Sequence, residues 1–375
     1  MDDRQILIAL NASESLHRGA LCRLTDRLDA WRHGPRPTEI RRLAPRLGID
    51  PRSIRRAVTL LPRAGQDSEE ELAKAEAEGC EIVTRLDPGY PRQLLDHSLP
   101  PPVLYIQGRL PTAPAVAIVG SRKMTPYGER AATRFARGLA SSGVCVVSGF
   151  ARGVDSTAHR AAAEADGGST VAVLGCGLDV DYPRGNRELR RTLAANGALV
   201  SEFPLGAQPL PWRFPIRNRV IAALAVGVLV IQAAPRSGSL ITAHQALELG
   251  RDVYAVPGSI FDPLSEGTHG LIADGAFLAR QVEDVLDTLP LALQQQLFPT
   301  TDRARRQAPP AVAAGRPPLK GFAGRLLEAL SDDEPHSAEE LAALLDAAVD
   351  KVLASLLELE LGGWIRRLPG PVYTR

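Results

Sequence analysis

The sequence predicts an α/β protein built on a doubly wound, mostly parallel sheet, with helical segments before it and a winged-helix plan after it. Three observations carry this. Three times between residues 116 and 243 an apolar β-type run stops at a small-residue turn and a helix-like segment begins: VAIVGSRKMTPYG (116–128), VCVVSGFARGVDSTAH (144–159) and VGVLVIQAAPRSGSLITA (226–243). The strand candidates are continuous apolar runs, as strands covered on both faces should be. They alternate with helical segments, which implies crossovers onto both faces of one sheet.

Taken in order, short helices are expected at residues 4–10, 19–30, 38–47 and 51–60, the last opened by Asp50 as a cap with Pro51 in the first helical position. An acidic helix over 68–78 closes this segment, and residues 1–80 are expected as a helical domain. The core is expected over 81–297, with strands at 116–119, 144–148, 170–174, 199–202, 227–232 and 252–256. A Pro-, Ala- and Arg-rich stretch without periodicity, 298–318, reads as a flexible linker. Helices near 321–330, 337–345 and 350–359, followed by GGWIRRLPGPVYTR, give the three helices and short hairpin of a winged helix over 319–375.

Composition bounds the function. A chain of 375 residues points to two or three domains, and 45% hydrophobic against 23% charged residues fits a globular protein. The longest apolar stretch, 222–231, is about half of a bilayer span. No secretory leader pattern opens the chain, so a cytoplasmic location is expected. The four cysteines, Cys22, Cys80, Cys145 and Cys176, lack metal or disulfide spacing and read as small buried hydrophobes. A net charge of +1 hides an asymmetry: residues 1–66 carry 13 Arg against 7 acidic side chains, whereas 321–375 carry 5 basic against 10 acidic.

In an open parallel sheet the ligand crevice lies beyond the carboxyl ends of the strands, where the three junctions fall. Backbone N–H groups at such helix starts favour an anion. No G-x-G-x-x-G or G-x-x-x-x-G-K-[ST] pattern is present, so neither a dinucleotide cofactor nor a phosphate loop is indicated, and no cofactor or metal is expected. His159 and His244 read as hydrogen-bonded structural residues; Asp155, one residue into its helix, is a helix-start carboxylate or a site group. What the strand-end turns do hold is positive charge: Arg122, Arg152, Arg184, Arg217 and Arg219, whereas Arg187 and Arg190 read as solvated. Several guanidinium forks in a row suit a polyanion better than one nucleotide. Phe150, Tyr182, Phe203, Trp212 and Phe214 share these loops and could stack bases, with loop packing the simpler role for Phe203 and Phe214.

Six ordered blocks, YPRQLLDHSLPPPVLYIQG, VAIVGSRKMTPYG, VVSGFARGVDSTAHRAA, VAVLGCGLDVDYPRGN, LVSEFPLGAQPLPWRFPIRNRVIA and SGSLITAHQALELGRDVYAVPG, resemble the DNA-processing protein family DprA, also called Smf. The resemblance covers residues 90–276. It implies a Rossmann-like core that binds and protects single-stranded DNA, loads the recombinase RecA in natural transformation, and forms a tail-to-tail homodimer. It also implies a sterile-alpha-motif-like N-terminal domain and a C-terminal winged helix. Carried over by position, the implied DNA-binding residues are Gly120, Ser121, Arg122 and Lys123; Ser148, Gly149, Phe150, Arg152 and Gly153; Tyr182, Arg184 and Asn186; Arg217, Asn218 and Arg219; and Ser237, Gly238, Ser239 and Thr242. Many relatives have lysine where Arg184 stands, and after Gly267-Thr268 the family usually has Asn where this chain has His269.

The rival expectation is an enzyme, a nucleotide phosphoribohydrolase with the same fold and a comparable glycine turn. That chemistry needs acidic residues after the turn, and here SGSLITAH brings no carboxylate until Glu248.

Overall fold

The computed structural model describes residues 2–25, 38, 42, 45, 48–297, 321–330, 336–361, 364–368 and 372–374. Two compact units divide the chain, Met1–Leu297 and Phe298–Arg375.

The first unit is organised by a nine-stranded sheet of β1 (Cys80–Thr84), β2 (Val103–Gly108), β3 (Ala115–Val119), β4 (Cys145–Ser148), β5 (Thr170–Leu174), β6 (Gly197–Ser201), β7 (Gly227–Val230), β8 (Asp252–Ala255) and β9 (Phe277–Leu278). Their spatial order is β1-β2-β6-β5-β4-β3-β7-β8-β9. From β6 to β9 every neighbouring pair is parallel. Strands β4 to β7 are buried at every position, which is why their sequences are unbroken apolar runs. All six expected strands are present. The pair β1 and β2 was not expected; it extends the sheet antiparallel beyond β6, with Tyr105 of β2 opposite both Ile82 and Ser201.

The chain winds from β3 outward to β6, returns, and continues from β7 to β9 on the other side of β3. The order therefore reverses between β3 and β7, and a crevice opens there at the carboxyl ends.

Helices Asp3–Ala12, Arg18–Thr25, Pro51–Leu60 and Ala64–Ala77 precede the sheet. Asp2 caps the first with a capping box to Gln5, and the Asp50 carboxylate accepts from the backbone N–H groups of Arg52 and Ser53, as expected at Asp50-Pro51. The helix expected at 38–47 falls largely outside the described residues, as does the second half of 19–30. Ile6, Leu7, Leu21 and Leu24 from these helices share one apolar cluster with Leu174, Leu193 and Leu199 of the sheet region. The opposite face buries Val119, Val147 and Val173 against Val220 and Ile221 of the helix Arg213–Leu224.

The second unit has helices Phe322–Ala329, Ala338–Leu344 and Val349–Leu361 and a small sheet, β10 (His336–Ser337), β12 (Val372–Thr374) and β11 (Arg366–Leu368) in that order. Leu326, Leu341, Val352, Leu356 and Leu359 form its core, which is a winged helix. The linker expected at 298–318 lies outside the described residues. No helix among the described residues is long and apolar enough to cross a membrane.

Candidate nucleic-acid interface

Four turns meet at the carboxyl edge of the sheet, and glycines set how closely. Gly153 has φ +81°, and a Cβ there would stand 2.4 Å from the Ser121 carbonyl oxygen, so only glycine lets the turn after β4 rest on the turn after β3. Main-chain bonds fix the same contact: the Ser121 N–H donates to Gln232 O at 2.8 Å, and the Val154 N–H donates to Ser121 O at 3.2 Å. Phe150 adopts a left-handed φ of +57° and buries its ring 6.0 Å from His159, while Arg152 is left exposed. Ser148 is fully buried and donates to Ile118 O.

The helix Arg213–Leu224 begins at this edge and sorts its Arg-Asn-Arg triplet by geometry. Arg217 is buried and donates to the carbonyl oxygens of Gly149 and Val173, tying the turn after β4 to strand β5. Gly149 makes room, since a Cβ there would stand 2.5 Å from the guanidinium. Burial pulls the Arg217 pKa down to about 10, with Asp155 opposing. Asn218 donates to Gly238 O at 3.2 Å. Arg219, about 200° further around the helix than Arg217, is buried in a 2.5 Å ion pair with Glu202 and lines a different cavity.

Two adjoining cavities, of about 510 and 650 Å³, share Arg122, Ala151, Tyr182, Phe214 and Arg217 and so form one trough. Lys123, Gly149, Phe150, Arg152 and Arg184 line the first part; Gly120, Ser121, Asn218, Ser237, Gly238, Ser239 and Thr242 line the second. The structure thus brings most of the expected set together. Ser148 lies beneath the trough, Gly153 forms the turn contact, Asn186 stands at the start of the helix Arg187–Ala195, and Arg219 faces elsewhere; none of these four lines it.

Arg122 lies 5.3 Å from the centre of the Phe214 ring, Arg217 5.9 Å from it, and Tyr182 packs on the same ring at 5.5 Å. Phe214 is therefore a wall of the trough as well as loop packing. Phe203 is fully buried and Trp212 stands outside the trough. Arg122, Lys123, Arg152 and Arg184 have no carboxylate partner among the described residues. Arg236 belongs to the same group; it directly precedes Ser237 in the turn after β7, and that adjacency was the available signal for it. Arg187, by contrast, pairs with Asp181 at 3.1 Å, and Arg190 donates to Val180 O.

The single acidic side chain lining the trough, among the described residues, is Asp155. Its carboxylate accepts from the Ala151 N–H at 3.2 Å, and burial raises its pKa against the lowering influence of Arg217 and Arg122. His159 is structural: the Thr170 hydroxyl donates to Val146 O and accepts from His159 Nδ1 at 2.7 Å. His244 bonds Leu240 O on an exposed helix face, and His269 Nε2 meets Gly258 O at 3.2 Å in the loop after β8. All four cysteines are buried, and none forms a disulfide among the described residues. No cluster of metal-ligating side chains occurs among the described residues.

The family model described as DNA recombination-mediator protein A matches residues 81–290, and that of the DprA winged helix domain matches 308–371. Protein Smf of Escherichia coli is 40% identical over 327 residues, covering 85% of this chain and 83% of that protein. The X-ray structure of DNA processing protein A from Streptococcus pneumoniae superposes with a TM-score of 0.66 at 35% identity, over 77% of this chain and 99% of that one. DNA processing protein A from Helicobacter pylori, whose structure gives insight into its own single-stranded DNA binding mode, superposes with a TM-score of 0.50 at 30% identity, over 56% of this chain and 94% of that one.

Proposed function

The chain belongs to the DNA recombination-mediator protein A family, and from that membership we propose that it binds single-stranded DNA in the trough, protects the strand, and helps to load the recombinase RecA in natural transformation and DNA recombination. The observation that carries this reading is the row of cations without carboxylate partners, Arg122, Lys123, Arg152, Arg184 and Arg236, opposed by one buried acid, Asp155. Charge left unneutralised in a recess is what a phosphate backbone requires. Tyr182 and Phe214 offer ring faces among these cations, so bases are held by stacking rather than by their edges, and sequence dependence is weak. The protein acts as a homodimer through its core, and two troughs on one particle capture a long strand multivalently.

A phosphoribohydrolase has less support. In that chemistry a carboxylate follows the glycine turn, whereas this turn places Ser237, Ser239 and Thr242 in the trough, and Glu248, at the far end of the same helix, lines a different cavity. We therefore read the protein as a binding protein and not an enzyme. A gel-shift comparing single- and double-stranded oligonucleotides of one sequence tests this, together with an assay for base release from nucleoside monophosphates. Single strands are expected to shift at lower protein concentration, with affinity falling as salt rises and no base released. Preference for duplex, or release of base, overturns the reading.

A further inference from the structure

We propose that a single strand leaving the trough crosses the ridge at Pro215, stacks a base on Trp212, and carries its backbone into a second cavity where the N-terminal helices meet the core. The inference rests on the reading of the trough as a strand-binding site and extends it to a part of the molecule that this reading leaves unused.

Trp212 is a large aromatic side chain left 52% exposed, yet it is held from within. The Arg213 guanidinium lies 5.0 Å from its ring centre and 4.9 Å from that of Phe203, and Phe203 meets Trp212 edge-on at 6.5 Å. Arg213 is itself fixed, donating to both carboxylate oxygens of Glu14 at 2.8 Å and to Gln208 O at 3.0 Å. The indole is thus a preformed platform, and ordering it on binding costs little.

Beside it lies a cavity of about 720 Å³, with Trp212, Arg213 and Arg219 on the core side and Arg18 and Arg56 on the N-terminal side. Pro215 lines both this cavity and the trough, so the two recesses adjoin, with that one residue as the ridge between them. The charge balance favours an anion. Arg18 and Arg213 share one carboxylate, Glu14; Arg219 is matched by Glu202; and exposed Arg56 has no carboxylate partner among the described residues. With Glu248 on the rim, four guanidiniums stand against three carboxylates among the described residues. A fixed ring face beside an excess of positive charge, adjoining a cationic trough, is how sequence-tolerant proteins hold a strand.

The test uses the full chain and fluorescence anisotropy with two oligothymidylates, one of about 6 nucleotides, which the trough accommodates, and one of about 20, which must leave it. Trp212→Ala is expected to weaken the longer oligonucleotide by about ten-fold, the scale of one lost stacking contact, with a much smaller effect on the shorter. Trp212→Phe is expected to recover most of the loss, which separates stacking from folding. Arg56→Ala is expected to weaken the longer oligonucleotide alone. If Trp212→Ala affects neither length, or both equally, while Arg122→Ala weakens both, the ridge is not part of the path and the trough stands. If Arg122→Ala affects neither length, the trough reading fails and this inference fails with it.

Discussion

The guanidinium of Arg122 lies over the Phe214 ring at 5.3 Å, and it forms no ion pair with a carboxylate among the described residues. The ring orients the cation without neutralising it. Replacing Arg122 with Ala is expected to cost about 1.5–3 kcal/mol of single-strand affinity, the scale of a charge-assisted phosphate contact. Phe214→Leu keeps the volume and removes the ring face, so a smaller loss of about 0.5–1 kcal/mol is expected. Titrations with one labelled oligonucleotide check both; unchanged affinity in a folded Arg122→Ala protein removes the trough assignment.

The winged helix is expected to contribute little to strand affinity. Its third helix, Val349–Leu361, carries Asp350, Glu358 and Glu360 against Lys351, and a groove-reading helix of that sign meets phosphate repulsion. Deleting residues 316–375 should leave single-strand binding nearly intact and, in sedimentation, leave a dimer. Loss of binding on this deletion would assign the strand to the winged helix. The corresponding deletion of residues 1–66 is not a clean experiment, because Ile6, Leu7 and Leu21 are fully buried in the cluster they share with the sheet. Point changes such as Arg56→Ala replace it.

Arg219 and Glu202 form a buried ion pair in which Glu202 Oε1 and Arg219 Nη1 have no hydrogen-bond partner among the described residues. Removing one member leaves an uncompensated buried charge. Glu202→Gln is therefore expected to lower unfolding stability by about 3–5 kcal/mol in urea titrations, without a selective loss of affinity in the fraction that remains folded.

His159 sets an acid limit. Burial pulls its pKa from 6.5 to about 3, so the folded state holds the neutral ring while the unfolded chain takes up a proton below pH 6.5. The stability due to the neutral ring is complete above pH 6.5 and is lost as pH falls from there toward about 3. The expected slope is about 1.4 kcal/mol per pH unit. Urea midpoints measured across that window should fall less steeply in His159→Asn than in the parent; equal slopes would place the acid sensitivity elsewhere.

The parallel strands were legible because burial on both faces writes itself as an uninterrupted apolar run, and β5 was placed at 170–174 to the residue. The edge strand β1 leaves no such mark, having five residues with the exposed Glu81 among them, whereas β2 does carry a buried apolar run, Val103 to Ile106, that lies outside the strand-turn-helix rhythm. Within the site, the glycine turns were legible, as they join strands to helices in a recurring order. The Arg-Asn-Arg triplet reads as one basic cluster, but a helix sends its first and third members to different cavities. The carbonyls that grip Arg217 come from positions 68 and 44 residues away, a distance across which local pattern carries no information.

Gln232 O, Ser121 and Val154 form a chain of main-chain hydrogen bonds that runs through the turns after β7, β3 and β4. One consequence is cooperativity of opening: the three turns are expected to open together, so the Ser121 and Val154 amides should exchange with solvent through one common opening free energy. Another bears on the proposed strand binding: a cradle fixed by main-chain bonds asks for no rearrangement of these turns, so no rarely populated competent state is expected to diminish affinity there.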